Sequence, residues 1–230
     1  MNYSSLFFDL DDTLWDTDHN NKECLEEVYS EYRFGRYYAS FDDFFTKYMP
    51  HNLMLWAKYR NHEIDRRTLI VERFLYVLRP MGINDEGFAL ALNKDFLMRT
   101  ATKARLIEGA IELLDYLFPR YRLFILSNGF REIQSLKMQN SGLAPYFERI
   151  FLSEDVSIQK PHKAIFDYAL KNSNSRRAES LMIGDCWESD IAGAENARLD
   201  CVWFNPRHEA PKGAPPTHTV QYLHELKKIL

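Results

Sequence analysis

Short apolar runs that end abruptly at polar residues recur along the chain. Leu6-Phe7-Phe8 stops at Asp9, Leu123-Phe124-Ile125-Leu126 at Ser127-Asn128-Gly129, Ile150-Phe151-Leu152 at Ser153, and Leu181-Met182-Ile183 at Gly184-Asp185. Cys201-Val202-Trp203-Phe204 adds a fifth run. Apolar runs without polar alternation read as strands buried on both faces. Helical spacings lie between them: Ile111, Leu114, Leu117 and Phe118 after Gly109; Ile165, Phe166, Ala169 and Leu170 after Pro161; Ile191, Ala194 and Ala197 after Asp190. Strand alternating with helix predicts an α/β fold, a doubly wound, mainly parallel, Rossmann-like sheet covered on both faces, with right-handed crossovers. A Pro-rich loop, Pro206 to Pro216, precedes an expected edge strand at His218 to Val220 and a closing helix.

The stretch 17–103 breaks this rhythm with helical periodicity and no strand. Cys24, Leu25, Val28, Tyr29 and Tyr32 share one helical face. Ser40 with Asp43 reads as a capping box opening a segment with Phe41, Phe44, Phe45 and Tyr48, which Pro50 is expected to end. Asn52 would then cap a helix bearing Leu55, Trp56 and Tyr59, with Asp65 and Asn84 opening two more. The domains expected are an α/β core over 1–16 and 104–230 and an all-helical insertion of about four helices over 17–103.

Composition narrows the classes. In 230 residues, 46% are hydrophobic and 27% charged, which supports a sizeable core and excludes disorder. The formal charge of −4 leaves no global basic field for a nucleic-acid polymer, so an anionic ligand would need local cations. Three cysteines, Cys24, Cys186 and Cys201, lack zinc-type spacing and point to a reducing, cytoplasmic setting. Asp9, Asp11 and Asp12 interrupt the first apolar run where a signal peptide would continue, and no run reaches membrane-spanning length.

In open parallel sheets, ligands bind beyond the carboxyl ends of the strands. Those ends here carry Asp9 and Asp11, Ser127 and Asn128, and Asp185, with Lys160 near the start of a helix. Carboxylates for a hard cation, donors for an oxyanion and one ammonium suit phosphoryl transfer with Mg²⁺.

In chain order, Asp9-Leu10-Asp11-Asp12-Thr13, Ser127-Asn128, Lys160-Pro161 and Gly184-Asp185 through Asp190 resemble the four motifs of the haloacid dehalogenase-like (HAD) hydrolase superfamily. D-x-D-x-T alone arises by chance in about 3% of chains this long; three further motifs in order make coincidence a poor account. The resemblance implies Asp9 as nucleophile, Asp11 as proton donor and then base, and Lys160 as the catalytic cation. It implies Mg²⁺ held by Asp9, the main-chain carbonyl of Asp11 and Asp185, with Asp190 anchoring the group. Phosphate would be bound by Leu10 and Thr13 and by Ser127, Asn128, Gly129 and Phe130. Asp11 favours a phosphatase or phosphomutase over a dehalogenase, since dehalogenases of the superfamily lack an aspartate there.

The insertion resembles a C1-type cap. Ser127-Asn128-Gly129-Phe130, Lys160-Pro161 running into Ile165 to Leu170, Glu188-Ser189-Asp190-Ile191, and more loosely Leu55-Trp56 with Tyr59, are similar to the housecleaning pyrimidine 5′-nucleotidases. The expected activity is Mg²⁺-dependent hydrolysis of a small phosphorylated metabolite, a pyrimidine nucleoside 5′-monophosphate, by a monomer. The alternatives are a β-phosphoglucomutase-type mutase, another small-metabolite phosphatase and, remotely, a phospho-aspartate receiver switch. A receiver would place its aspartate after a central strand of the sequence order and carry no insertion.

Overall fold

The computed structural model describes residues 3–230. Its backbone falls into two compact units, one made of residues 3–17 and 104–230 and the other of 18–103. Among the described residues the first unit carries a six-stranded sheet: β1 (Ser5–Phe8), β2 (Arg122–Ser127), β3 (Arg149–Leu152), β4 (Ser180–Gly184), β5 (Asp200–Phe204) and β6 (His218–Val220). Every neighbouring pair is parallel, in the order β3-β2-β1-β4-β5-β6. The strand order reverses at β1 and β4, which creates a crevice at their carboxyl ends.

The apolar runs are buried on both faces because alternate residues point opposite ways. Leu6, Phe8, Leu123, Ile125, Leu181, Ile183, Val202 and Phe204 pack on one face with Leu113, Leu114 and Leu117 of α5 (Ala110–Leu117) and Met138 of α6 (Arg131–Asn140). Phe7, Phe124, Leu126, Met182, Cys201 and Trp203 pack on the other with Ile165, Phe166 and Ala169 of α7 (Lys163–Asn172) and Ala194 and Ala197 of α8 (Ala192–Ala197). A π-type turn, Trp187–Ile191, leads into α8, and the closing helix is a 3₁₀ helix, Leu223–Lys228.

The second unit is built on α1 (Thr17–Glu31), α2 (Phe41–Arg60), α3 (Arg66–Leu78) and α4 (Glu86–Thr102). Ring contacts join them: Tyr29 to Phe44 at 5.8 Å, Tyr48 to Phe74 at 5.3 Å and Phe74 to Phe96 at 5.8 Å. Three expectations fail here. Pro50 does not end a helix and Asn52 does not cap one; α2 runs through both from Ser40, whose side chain accepts from the Asp43 amide. Phe44, Tyr48, Asn52 and Leu55 are all buried on one continuous face while Pro50 is exposed, so packing carries the helix past the missing N–H. The cap of α4 is Asp85, accepting from the Phe88 amide, one residue beyond the expected Asn84. Asp65 caps α3 as expected.

Within the first unit, the segments that leave and rejoin the sheet are paired. Asp16 donates its amide to the Arg105 carbonyl at 3.2 Å and Ile107 donates to that of Leu14 at 2.9 Å. The Arg105 guanidinium meets Asp16 at 2.9 Å. Among the described residues no helix is long and apolar enough to cross a membrane.

Candidate active site

Asp9 extends β1 by donating its amide to the Ile183 carbonyl at 2.9 Å, which fixes its side chain at the crevice, only 7% exposed. The chain then turns sharply: Leu10 accepts from the Leu14 and Trp15 amides, and Asp12 takes a left-handed conformation (φ 59°) and donates to the Trp15 carbonyl. The Leu10 side chain is fully buried in the core. The same turn presents Asp11.

Lys160 is the hub of the site. It is 1% exposed, and its Nζ meets Asp9 Oδ1 at 2.6 Å, Asp190 Oδ1 at 2.7 Å and the Leu126 carbonyl at 2.7 Å. Burial opposes its charge, but Asp190 and Asp9 hold the ammonium above the ordinary lysine value. Lys160 stands three residues ahead of α7, which His162 caps through Nδ1. Its backbone is held by the Asn128 side chain, where Nδ2 donates to the Lys160 carbonyl at 3.0 Å and Oδ1 accepts the Lys160 amide at 2.8 Å. The Asn128 side chain therefore positions the lysine.

Thr13 and Asp185 are bonded reciprocally: the Thr13 hydroxyl donates to Asp185 Oδ1 at 3.0 Å and accepts the Asp185 amide at 3.1 Å. Asp190, fully buried, accepts the Cys186 amide, and a Cβ on Gly184 would lie 2.4 Å from its Oδ2. Only glycine admits that approach. A shallow, open cleft lined by Asp12, Asp185, Asn205, Arg207 and Glu209 lies beside Asp185.

Oxygen atoms of Asp9, Asp185 and Asp190 all lie within 4.8 Å of one another. Burial pushes the Asp9 carboxyl up to about 7, with Asp190 and Asp11 adding to the shift and Lys160 opposing it. Burial, with the charges of Asp190, Asp9 and Asp12, puts Asp185 well above the ordinary carboxylate value. Lys160 pairs with Asp9 and Asp190, whereas among the described residues no cationic side chain lies at ion-pair distance from Asp185. An all-oxygen donor set with more negative charge than its lysine neutralises fits a hard divalent cation.

Asp11 stands apart from this cluster and has partners that inspection of the sequence missed. Lys137 Nζ meets its Oδ1 at 2.5 Å, Gln134 Nε2 donates to Oδ2 at 2.6 Å, and the Thr17 hydroxyl donates to Oδ1 at 3.0 Å. Burial would raise Asp11, but Lys137, aided by Gln134 and Thr17, holds it below its ordinary value. Phe130 caps α6 and is 4% exposed. In the helical unit Leu55 is buried, while Trp56 and Tyr59 are half-buried and meet edge to face at 5.9 Å.

A parallel sheet with order 3-2-1-4-5-6, whose central strand ends in this pair of aspartates, defines a class. The chain belongs to the haloacid dehalogenase-like hydrolase family, whose model matches residues 6–204. Among individual proteins it is similar to the pyrimidine 5′-nucleotidase YjjG of Escherichia coli K12, 34% identical over 100% of this chain and 99% of that one. The pyrimidine 5′-nucleotidase PynA of Streptococcus pneumoniae is 33% identical over 100% of this chain and 96% of its own. The crystal structure of the Bacillus subtilis HAD-hydrolase YfnB bound to magnesium superposes with a TM-score of 0.91 at 29% identity, covering 100% of this chain and 99% of that one.

Proposed function

We propose that the protein is a Mg²⁺-dependent phosphatase that hydrolyses pyrimidine nucleoside 5′-monophosphates through a phosphorylated Asp9. The observation that carries this reading is the placement of the Asp9 carboxylate at the sheet's reversal point, 2.6 Å from a buried ammonium and within 4.8 Å of Asp185. The full-length likeness to YjjG and PynA, which extends through residues 18–103, supports the substrate class.

In this reading an Asp9 oxygen attacks phosphorus and the bond to the ester oxygen breaks. Asp11, ionised in its pair with Lys137, takes up the acidic proton of the bound phosphate monoester and delivers it to the departing alkoxide. Water then attacks the aspartyl-phosphate, giving its proton to Asp11; the bond from phosphorus to the Asp9 oxygen breaks and orthophosphate leaves. Lys160 and the Ser127 hydroxyl stabilise charge on the phosphoryl oxygens, and Asn128 keeps Lys160 aimed. A divalent cation held by the carboxylates of Asp9 and Asp185 and the Asp11 carbonyl would supply further neutralisation of phosphate charge.

The test is orthophosphate release from a panel of nucleotides and sugar phosphates with Mg²⁺. Pyrimidine monophosphates are expected to lead, and Asp9→Asn is expected to lower kcat by about 10⁴-fold or more while Mg²⁺ still binds, more weakly. Full turnover by that variant removes Asp9 from the role, and formation of an isomer in place of orthophosphate selects a mutase.

A further inference from the structure

We propose that Gln134 and Lys137, one turn apart on α6, form a clamp that fixes the Asp11 carboxylate and ties it to Ser127, making both of them positioning residues for the reaction. This rests on the phosphatase reading above, in which Asp11 carries the proton. The clamp is anchored on both sides. Lys137 is 6% exposed, and its ammonium lies between Asp11 Oδ1 at 2.5 Å and the face of the buried Trp15 ring at 3.9 Å, so ion pair and ring together fix one placement of a flexible side chain.

Gln134, 1% exposed, donates from the single atom Nε2 to Asp11 Oδ2 at 2.6 Å and to Ser127 Oγ at 2.8 Å. The reverse orientation of the amide would set its oxygen against the carboxylate, so the partners dictate this one. Its Oε1 is left buried without a partner, a cost accepted to hold both bonds. Ser127 Oγ also accepts the Gly129 amide at 3.1 Å. With two donors on its lone pairs, the serine hydroxyl has only its proton left to offer and becomes a dedicated donor, as a phosphoryl oxygen requires. Gly129 makes room for this arrangement: a Cβ there would lie 2.2 Å from Gln134 Nε2. One amide thus links the residue that moves the proton to a residue that grips the phosphate.

The test is a double-mutant cycle with Lys137→Met and Asp11→Asn, read as kcat and KM on a nucleoside monophosphate and on p-nitrophenyl phosphate, whose leaving group needs no proton. A residue acting through Asp11 loses its effect once Asp11 is gone. Lys137→Met is expected to lower kcat on the nucleotide by about 100-fold with little change in KM, and by less than about threefold in the Asp11→Asn background. Lys137→Arg, keeping charge and reach, is expected to recover most of the loss. Gln134→Met is expected to raise KM and weaken orthophosphate inhibition as well, because Ser127 is released, and that part survives in the Asp11→Asn background.

Equal losses from Lys137→Met in both backgrounds, or a loss confined to KM, would overturn the clamp. If Lys137→Met fails to fold, Lys137→Arg and Gln134→Met in the same cycle decide. If the wild-type protein releases phosphate from no monoester, the phosphatase reading fails separately. The crystal structure of Gln134→Met then judges the clamp: Asp11 displaced from its present position upholds it, and Asp11 unmoved overturns it.

Discussion

The two units match their buried polar groups to different degrees. At the strand ends of the sheet unit, side chains engage reciprocally: Thr13 with Asp185, Asn128 with the backbone of Lys160, Gln134 with both Asp11 and Ser127. In the helical unit the polar interior is loosely matched. The Arg73 guanidinium, 3% exposed, has the Tyr48 hydroxyl at 2.9 Å and the Asn93 side-chain Oδ1 at 3.4 Å, with Phe96 beneath it, but no carboxylate partner among the described residues. Asn52 Oδ1 and His51 Nε2 are buried without partners. A reaction centre needs groups fixed before the substrate arrives, because reorganisation during the reaction costs rate. Donors and acceptors left unmatched elsewhere are what a unit can vary without disturbing the chemistry. On the proposed reading, the groups that set the rate lie in the sheet unit, where the buried polar groups are the more closely matched.

The largest effect that would break this comparison comes from Lys160. Lys160→Met strands the buried carboxylates Asp9 and Asp190, and removing one member of a buried ion pair costs about 3–5 kcal/mol. Turnover is expected to fall by about 10³-fold, from loss of charge stabilisation at phosphorus. Near-normal kcat in this variant, with an unchanged melting temperature, would mean that the reciprocal bonds of the sheet unit are not where rate resides.

The sequence reveals this unit unevenly, and for physical reasons. Uninterrupted apolar runs mark β1 to β5, since few other structures bury consecutive side chains on both faces, whereas the edge strand β6, His218-Thr219-Val220, has no such run. Asp9 and Asp185 are conspicuous because a charge placed at the end of such a run needs compensation, and Lys160 stands out through the Pro161 that follows it and its place between the other motifs. Helix α6 is not legible: its buried positions Ile133, Gln134, Lys137 and Met138 include two polar residues that resemble a solvated face. The contact that explains them, Lys137 to Asp11, spans 126 residues of sequence and exists only in the fold. In the helical unit, Pro50 and Asn52 carry strong local signals, and a continuous buried face overrides both.

A smaller effect separates the units by pH. Burial raises Asp9 to about 7 and Asp185 well above its ordinary value, so between the unfolded carboxylate value near 3.8 and about 7 the folded metal-free protein binds more protons than the unfolded chain. Their contribution is therefore fully present below the unfolded value and lost as pH rises through the folded one. Asp11, held low, acts with the opposite sign, but below that window. In EDTA the melting temperature is expected to drop by about 5 °C from pH 5.5 to 7.5, and saturating Mg²⁺ is expected to recover the loss. A flat profile in EDTA would show that the carboxylate cluster is already neutralised within the protein.

The smallest effect belongs to Pro50. It is exposed on α2, and the side chains that pack, Phe44, Tyr48, Asn52 and Leu55, lie on the opposite face, so its ring contributes little burial. Proline inside a helix removes one backbone donor and disfavours the turn before it, at up to about 3 kcal/mol relative to alanine, partly offset by its stiffening of the unfolded chain. Pro50→Ala is expected to raise stability by about 1 kcal/mol and leave kcat unchanged. If the bend it imposes is instead what seats Tyr48 against Phe74, at 5.3 Å, the variant melts earlier than wild type. Chemical denaturation with paired kinetics distinguishes these outcomes, and a fall in kcat without a fall in stability would place rate determination in the helical unit after all.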